Sequence, residues 1–202
     1  SGITTLTGSA ADLNTAYTSA GINGLGNENL TLSDSSLNAA VLNALDGRTS
    51  GAINAASINT LTGSAADLNT AHASAGISGL NNTNVTLTDT TIDAAVLNAL
   101  NTDTPGSIDA SSLTTLTGSA ADLITAYAAN GSGITGLGNE AVNVNNGTTS
   151  TAQAKTLAAA TTGIVTATIA DGDMATLAGL TETGHAYTIT ITDNSVAAAA
   201  LN

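Results

Sequence analysis

TLTGSAADL occupies residues 5–13, returns at 60–68 and returns again at 115–123. One nine-residue string written three times at a 55-residue spacing points to an array of equivalent units. The string holds three local signals. Thr5-Leu6-Thr7 alternates polar with apolar, as a strand with one buried face does. Gly8 marks a turn, and Ser9 is followed three residues later by Asp12, a capping-box spacing that opens a helix. The same device recurs at Ser64 and Asp67, at Ser119 and Asp122, and with glutamine at Ser150 and Gln153. An acid in the first turn also complements the positive end of the helix dipole.

Outward from this junction the grammar continues. Leu30-Thr31-Leu32, Val85-Thr86-Leu87, Val142-Asn143-Val144 and Ile189-Thr190-Ile191 read as further strands. After each capping signal comes an Ala/Leu stretch with helical spacing. Ala10, Leu13, Tyr17 and Ala20 share one face, and Leu37, Ala40, Val41, Ala44 and Leu45 share another. Gly21, Gly47, Gly76, Gly131 and Gly163 close these stretches, where a left-handed residue is expected.

Each 55-residue period contains two related halves. AAVLNAL at 39–45 aligns with AADLNTA at 65–71, 26 residues on, and the next AAVLNAL at 94–100 lies 29 further, giving a unit of about 27 residues. Strand, helix, strand, helix at this period predicts an α/β solenoid of 27-residue coils, with parallel strands on one face and helices on the other. A right-handed all-β solenoid is the rival. The Ala/Leu run after each capping signal disfavours it, because such runs are poor strand formers.

Residues 1–202 are expected to form a single continuous array, an excerpt of a longer chain. Residues 1–144 are the regular part, 145–186 hold degenerate coils, and 187–202 start a further regular repeat. No charged or proline-rich linker divides it, since Pro105 is the one proline.

Composition excludes several functions. Fifteen acidic residues against two basic ones give a net charge of −13, which repels phosphate backbones and anionic membranes, so nucleic acid is excluded as a partner. No cysteine is present, so disulfides, thiol catalysis and cysteine zinc sites are absent too. No apolar run approaches the roughly 18 residues a membrane span needs, and no basic-then-apolar leader opens the chain. The partners expected are neighbouring repeats of the same chain and a homo-oligomer or filament, without membrane insertion.

Few residues suggest chemistry. His72 occupies the place of Tyr17 and Tyr127 in the other copies, so that position takes a partly buried ring. His185 lies at a turn entering a strand and has no second histidine at a metal-binding spacing. With two histidines in a tandem array, a Ser–His–Asp triad is not indicated. Glu28 and Glu140 stand in equivalent GLGNE loops, and Glu182 stands alone, an arrangement of loop chemistry rather than of paired catalytic acids. GINGLGNE lacks the following lysine of a phosphate loop. No enzyme is expected, and no cofactor beyond calcium.

Calcium has the best claim of any ligand. Asp34, Asp89 and Asp193 fall at equivalent strand ends, and Asn54 with Asp109 forms a second equivalent pair. Asp34, Asp89, Asp193 and Asp109 are therefore the candidate ligands, since stacked coils can gather the oxygens that Ca²⁺ prefers. The competing reading, which is favoured, gives each aspartate a local turn or a helix cap. Threonine rows at Thr5/Thr7, Thr60/Thr62, Thr115/Thr117 and Thr188/Thr190/Thr192 raise an ice-binding face as a remote alternative. Threonine is also an ordinary outward strand residue.

The strings TLTGSAADLNTAY, AAVLNALDG, GLGNE and AYTITITDNSVAAAALN resemble the tandem arrays of very large secreted bacterial surface proteins, including cyanobacterial adhesin-like ones. The resemblance covers essentially the whole chain. It implies an extracellular spacer, fibre or adhesive stalk, in proteins often associated with calcium, and it carries over no catalytic residues. A carbohydrate-binding or carbohydrate-cleaving solenoid is the alternative, and only three tyrosines are available to line its groove.

Overall fold

The computed structural model describes residues 2–197 and Ala199. Along the chain run β1 (Thr5–Gly8), α1 (Ala10–Thr18), β2 (Asn29–Leu32), β3 (Ser36–Asn38), α2 (Ala39–Asp46), β4 (Ile53–Asn54) and β5 (Thr60–Gly63). Then come α3 (Ala65–Ala73), β6 (Ile77–Ser78), β7 (Asn84–Leu87), β8 (Thr91–Asp93), α4 (Ala94–Asp103), β9 (Ile108–Asp109) and β10 (Thr115–Gly118). The last third holds α5 (Ala120–Ala129), β11 (Ile134–Thr135), β12 (Ala141–Val144), α6 (Thr151–Ala160), β13 (Val165–Thr168), α7 (Met174–Leu177) and β14 (Ala186–Thr188).

Two units divide these elements. The first comprises residues up to Asp89 with Ala99–Ser112 and Ser132–Thr135; the second comprises Thr90–Asn98, Leu113–Gly131 and the residues from Gly136 onward. The first unit contains two sheets, β1-β2-β4-β6 and β11-β9-β7-β5-β3, and the second contains β14-β13-β12-β10-β8. Every pairing is parallel. The fold is a solenoid-like α/β repeat of strand–helix units.

The coil is tighter than the sequence halves suggest. Thr5 pairs with Asn29, Thr60 with Asn84 and Thr91 with Thr115, each 24 residues on. Elsewhere the offset runs from 20 residues (Thr166 with Ala186) to 26 (Ile108 with Ile134). The strands also do not share one face. β1, β5 and β10 carry the same TLTG sequence, yet each belongs to a different sheet. Consecutive strands without a helix between them start seven residues apart, as Asn29 and Ser36, or Ile77, Asn84 and Thr91. A 55-residue repeat spans two 24-residue coils plus one such step, so the TLTG strand of each copy falls in a different sheet.

Aliphatic ladders form the core. Leu30, Ile53 and Ile77 stack in register in the first sheet, and Leu61, Val85, Ile108 and Ile134 in the second. Leu116, Val142 and Val165 do so in the third. All but Ile77 are buried, and each such side chain contributes about 1.5–3 kcal/mol.

The helices bury a matching stripe, Ala10 and Leu13 in α1, Ala39, Leu42 and Leu45 in α2, and Ala65, Leu68 and Ala71 in α3. In the second stretch this corrects the expected face. Leu37 belongs to β3, the helix starts after Asn38, and the buried stripe rotates so that Ala40, Val41 and Ala44 face outward. The glycines also differ from expectation. α1 and α3 end on Ser19 and Ser74, and of the five glycines only Gly131 adopts positive φ, at 89°.

Candidate functional site

The helix starts follow the expected chemistry and add to it. Ser9, Ser64 and Ser119 each accept the amide three residues on, from Asp12 at 3.1 Å, Asp67 at 3.2 Å and Asp122 at 3.1 Å. Of these four starts, Ser150 forms the full reciprocal box, where the Gln153 side chain accepts the Ser150 amide at 3.1 Å. Aspartate is one methylene shorter, and in the three TLTG copies its carboxylate takes the serine hydroxyl instead, at 2.7 Å for Ser9.

Three of the candidate aspartates sit on helix starts, from one coil further along: those of the serine-capped α1 and α3, and that of α7, whose own cap is Asp173. Asp34 accepts the Ala10 amide, Asp89 that of Ala65 and Asp193 that of Met174, each at 2.7 Å. In α1 and α3 the serine of the helix's own coil and the aspartate of the next thus satisfy two free first-turn amides, with negative charge at the positive end of the dipole, and in α7 Asp173 takes the place of the serine. Asp171 does the same for Thr151 at 2.7 Å. Sequence reasoning missed that fourth case, which lies in the irregular part of the chain, where the offset is 20 residues for Asp171 and 19 for Asp193, against 24 in the regular part.

Asp109 and Asn54 are local instead. They accept the amides of Ser111 at 3.0 Å and Ala56 at 3.1 Å, two residues on, and the bonds from Ser111 hold the Asp109 carboxyl below its ordinary range. Asp34, Asp89, Asp193 and Asp109 are not gathered into one cluster, and among the described residues no group of three or more His, Cys, Asp or Glu side chains converges.

A buried polar trio lies under each GLGNE loop. Glu28 is fully buried and turns back beneath its own loop, where it accepts the amides of Gly26 at 2.7 Å and Asn27 at 3.2 Å and the Tyr17 hydroxyl at 3.1 Å. The Gly26 amide is the chief cause that holds its carboxyl below the usual range. Glu140 repeats this in the second unit, accepting from Gly138 at 2.9 Å, from Asn139 at 3.1 Å and from the Tyr127 hydroxyl. Burial first, and Glu140 second, push the Tyr127 phenol far above its ordinary value. Thr49 and Thr161 donate to the carbonyls of Glu28 and Glu140 at 2.6 and 2.7 Å. Beside each threonine a glycine, Gly51 or Gly163, lies so close to that same carbonyl that a Cβ would overlap it.

The middle copy replaces this trio. His72, Thr83 and Thr104 stand where Tyr17, Glu28 and Thr49 do, and Gly106 packs on the Thr83 carbonyl as Gly51 packs on that of Glu28. Thr83 donates to the Ile58 carbonyl at 3.1 Å, while His72 Nε2 and the Thr104 hydroxyl are buried without a hydrogen-bond partner. Desolvation lowers the His72 pKa, and the nearby charge of Asp103 opposes this.

Compared with known proteins, the chain matches no family model, no curated protein and no solved structure.

The remaining sequence candidates have structural places. His185 Nδ1 accepts the Val165 amide at 3.1 Å, and its ring lies 5.7 Å from that of Tyr187. Glu182 accepts the Thr181 amide at 3.1 Å. The threonine rows are divided, because Thr7, Thr62 and Thr117 lie in three sheets. Thr7 stacks with Thr31, Asn54 and Ser78, and Thr62 with Asn38, Thr86, Asp109 and Thr135. The outward ladders are thus mixed small polar residues. No helix among the described residues is long and apolar enough to cross a membrane.

Proposed function

We propose that this chain is a structural or adhesive repeat segment of an extracellular surface or fibre protein, acting as a spacer or filament-forming module without catalysis. The observation that carries this reading is the use of its carboxylates: Asp34, Asp89, Asp171 and Asp193 join one coil to the next through helix caps. Glu28 and Glu140 hold loops from beneath. Polar chemistry of this kind fixes the stacking of coils. The excess of acidic charge keeps such an array soluble. Against a carbohydrate groove, the hydroxyls of Tyr17 and Tyr127 already bond buried glutamates.

An antibody raised against the purified chain tests the placement. Labelling of intact producing cells supports an extracellular module, and labelling only after permeabilisation contradicts it.

A further inference from the structure

Asn-Gly occurs three times, at Asn23-Gly24, Asn130-Gly131 and Asn146-Gly147. Such a pair can react with itself, because no Cβ blocks the approach of the glycine nitrogen to the preceding carboxamide. In a folded chain the outcome depends on how firmly the carboxamide and the amide are held. Asn130-Gly131 and Asn146-Gly147 both belong to the second unit, and both asparagines are exposed. They differ in tethering, not in access to water.

Asn130 is tied twice. It ends α5, its amide donates to the Tyr127 carbonyl at 3.1 Å, and its Nδ2 donates to the Leu137 carbonyl at 3.0 Å. The bond to Leu137 must break before the carboxamide can turn onto the Gly131 nitrogen. Asn146 lies between two ladder rungs, from the Asn145 amide to the Gly118 carbonyl at 3.2 Å and from the Thr149 amide to the Thr168 carbonyl at 2.9 Å. Between those rungs Asn146, Gly147 and Thr148 are exposed. Among the described residues, neither the Asn146 carboxamide nor the Gly147 amide has a hydrogen-bond partner. Gly147 has a φ of 91°, and no atom beyond its chain neighbours lies within 4 Å of where a Cβ would stand. Nothing holds the two reacting groups apart.

We propose that Asn146 is a site of spontaneous modification in the folded protein, converted through a succinimide to aspartate and isoaspartate, while Asn130 is protected. The Gly147 nitrogen bonds to Asn146 Cγ, the Cγ–Nδ2 bond breaks, and Nδ2 leaves as ammonia carrying the amide proton. Water then opens the five-membered ring at either carbonyl. Either product adds one carboxylate to the loop, and isoaspartate also routes the main chain through an extra carbon. The Asn145 and Thr149 rungs bracket that change, and the Ser150–Gln153 box of α6 begins beyond it. The surface therefore gains charge with time while the ladder stays in place. This chemistry does not depend on what the module contacts or where it resides, so its failure leaves the structural reading untouched.

The test incubates the purified 202-residue chain, folded, at mildly alkaline pH and follows each asparagine by mass spectrometry. Cleavage after Glu28, Glu140 and Glu182 places Asn130 in fragment 29–140 and Asn146 in fragment 141–182. Asn146 is expected to convert about tenfold faster than Asn130, the factor that a tether of ordinary hydrogen-bond strength opposes. In denaturant the two rates are expected to converge, because both are then untethered Asn-Gly pairs. The product at 146 is expected to separate into aspartate and isoaspartate, the signature of ring opening, and Asn146→Gln is expected to abolish it. Equal rates at the two sites in the folded chain overturn the proposal. So does an Asn146 that reacts only in denaturant, or a product that is aspartate alone.

Discussion

Asp89 accepts the amide of Ala65, 24 residues earlier, at 2.7 Å, and so caps a helix that its own coil does not contain. Ser64 caps the same helix from within its coil. Helix formation in one coil thereby depends on the register of the next. Short helices of nine residues need such support, since isolated helices of this length are marginal in water.

Removing this link has a measurable consequence. Asp89→Ala is expected to destabilise the protein by about 1 kcal/mol, the usual magnitude for loss of a cap. Denaturant unfolding with calcium and with chelator checks it. Equal losses in both conditions match a cap, whereas a calcium-dependent stabilisation that vanishes in Asp89→Ala assigns the carboxylate to a metal.

Gly163 leaves no room for a side chain against the Glu140 carbonyl, so Gly163→Ala forces the two strands of chain apart. A loss of about 2–3 kcal/mol is expected, in the range of overpacked interiors. Gly131→Ala, which meets no neighbouring atom, pays only for its positive φ and is expected to cost less in the same thermal melts.

The junction grammar was legible in the sequence, and the winding was not. Ser9 with Asp12 and Leu30-Thr31-Leu32 act locally, so their pattern alone announces a helix start and a strand. Coil length depends on pairing between distant residues, and the sequence period misleads there. The 55-residue repeat is not a whole number of 24-residue coils, so halving it yields 27 and places all strands on one face. The roles of the aspartates were half legible. A capping role follows from their position after a strand, while the helix capped belongs to the preceding coil and becomes visible only once the register is known. The Glu28 and Glu140 anchors lay behind the matching Tyr17 and Tyr127, a co-occurrence of tyrosine with glutamate that the middle copy loses at both positions together.

That joint change predicts coupling. Thr83→Glu alone buries a carboxylate opposite His72, and His72→Tyr alone supplies a hydroxyl without its acceptor. The double variant is expected to be more stable than the two single effects add up to, by about 1–3 kcal/mol, measured by a double-mutant cycle. Wild-type stability is also expected to fall as pH drops through about 6.5, because the unfolded histidine binds a proton that folded His72 resists.

At alkaline pH the tyrosines act in the opposite direction. Burial raises the pKa of Tyr17, Tyr127 and Tyr187, so the unfolded chain ionises first and stability falls as pH rises through about 10. Tyr127→Phe is expected to flatten that decline, and unfolding free energies measured across the alkaline range check it. Glu140→Ala leaves the Tyr127 hydroxyl and two amides without their acceptor, and about 3 kcal/mol of stability is expected to be lost at neutral pH.

Cysteine pairing measures the coil directly, because the chain has no cysteine of its own. Thr62 and Thr86 are register partners on adjacent parallel strands, 24 residues apart and pointing outward together. Oxidation of the folded Thr62→Cys/Thr86→Cys chain is expected to give an intramolecular disulfide in high yield, while Thr62→Cys/Thr90→Cys, four residues out of register, gives little. Equal yields in the two pairs, or a preference for the second, would contradict a 24-residue parallel coil.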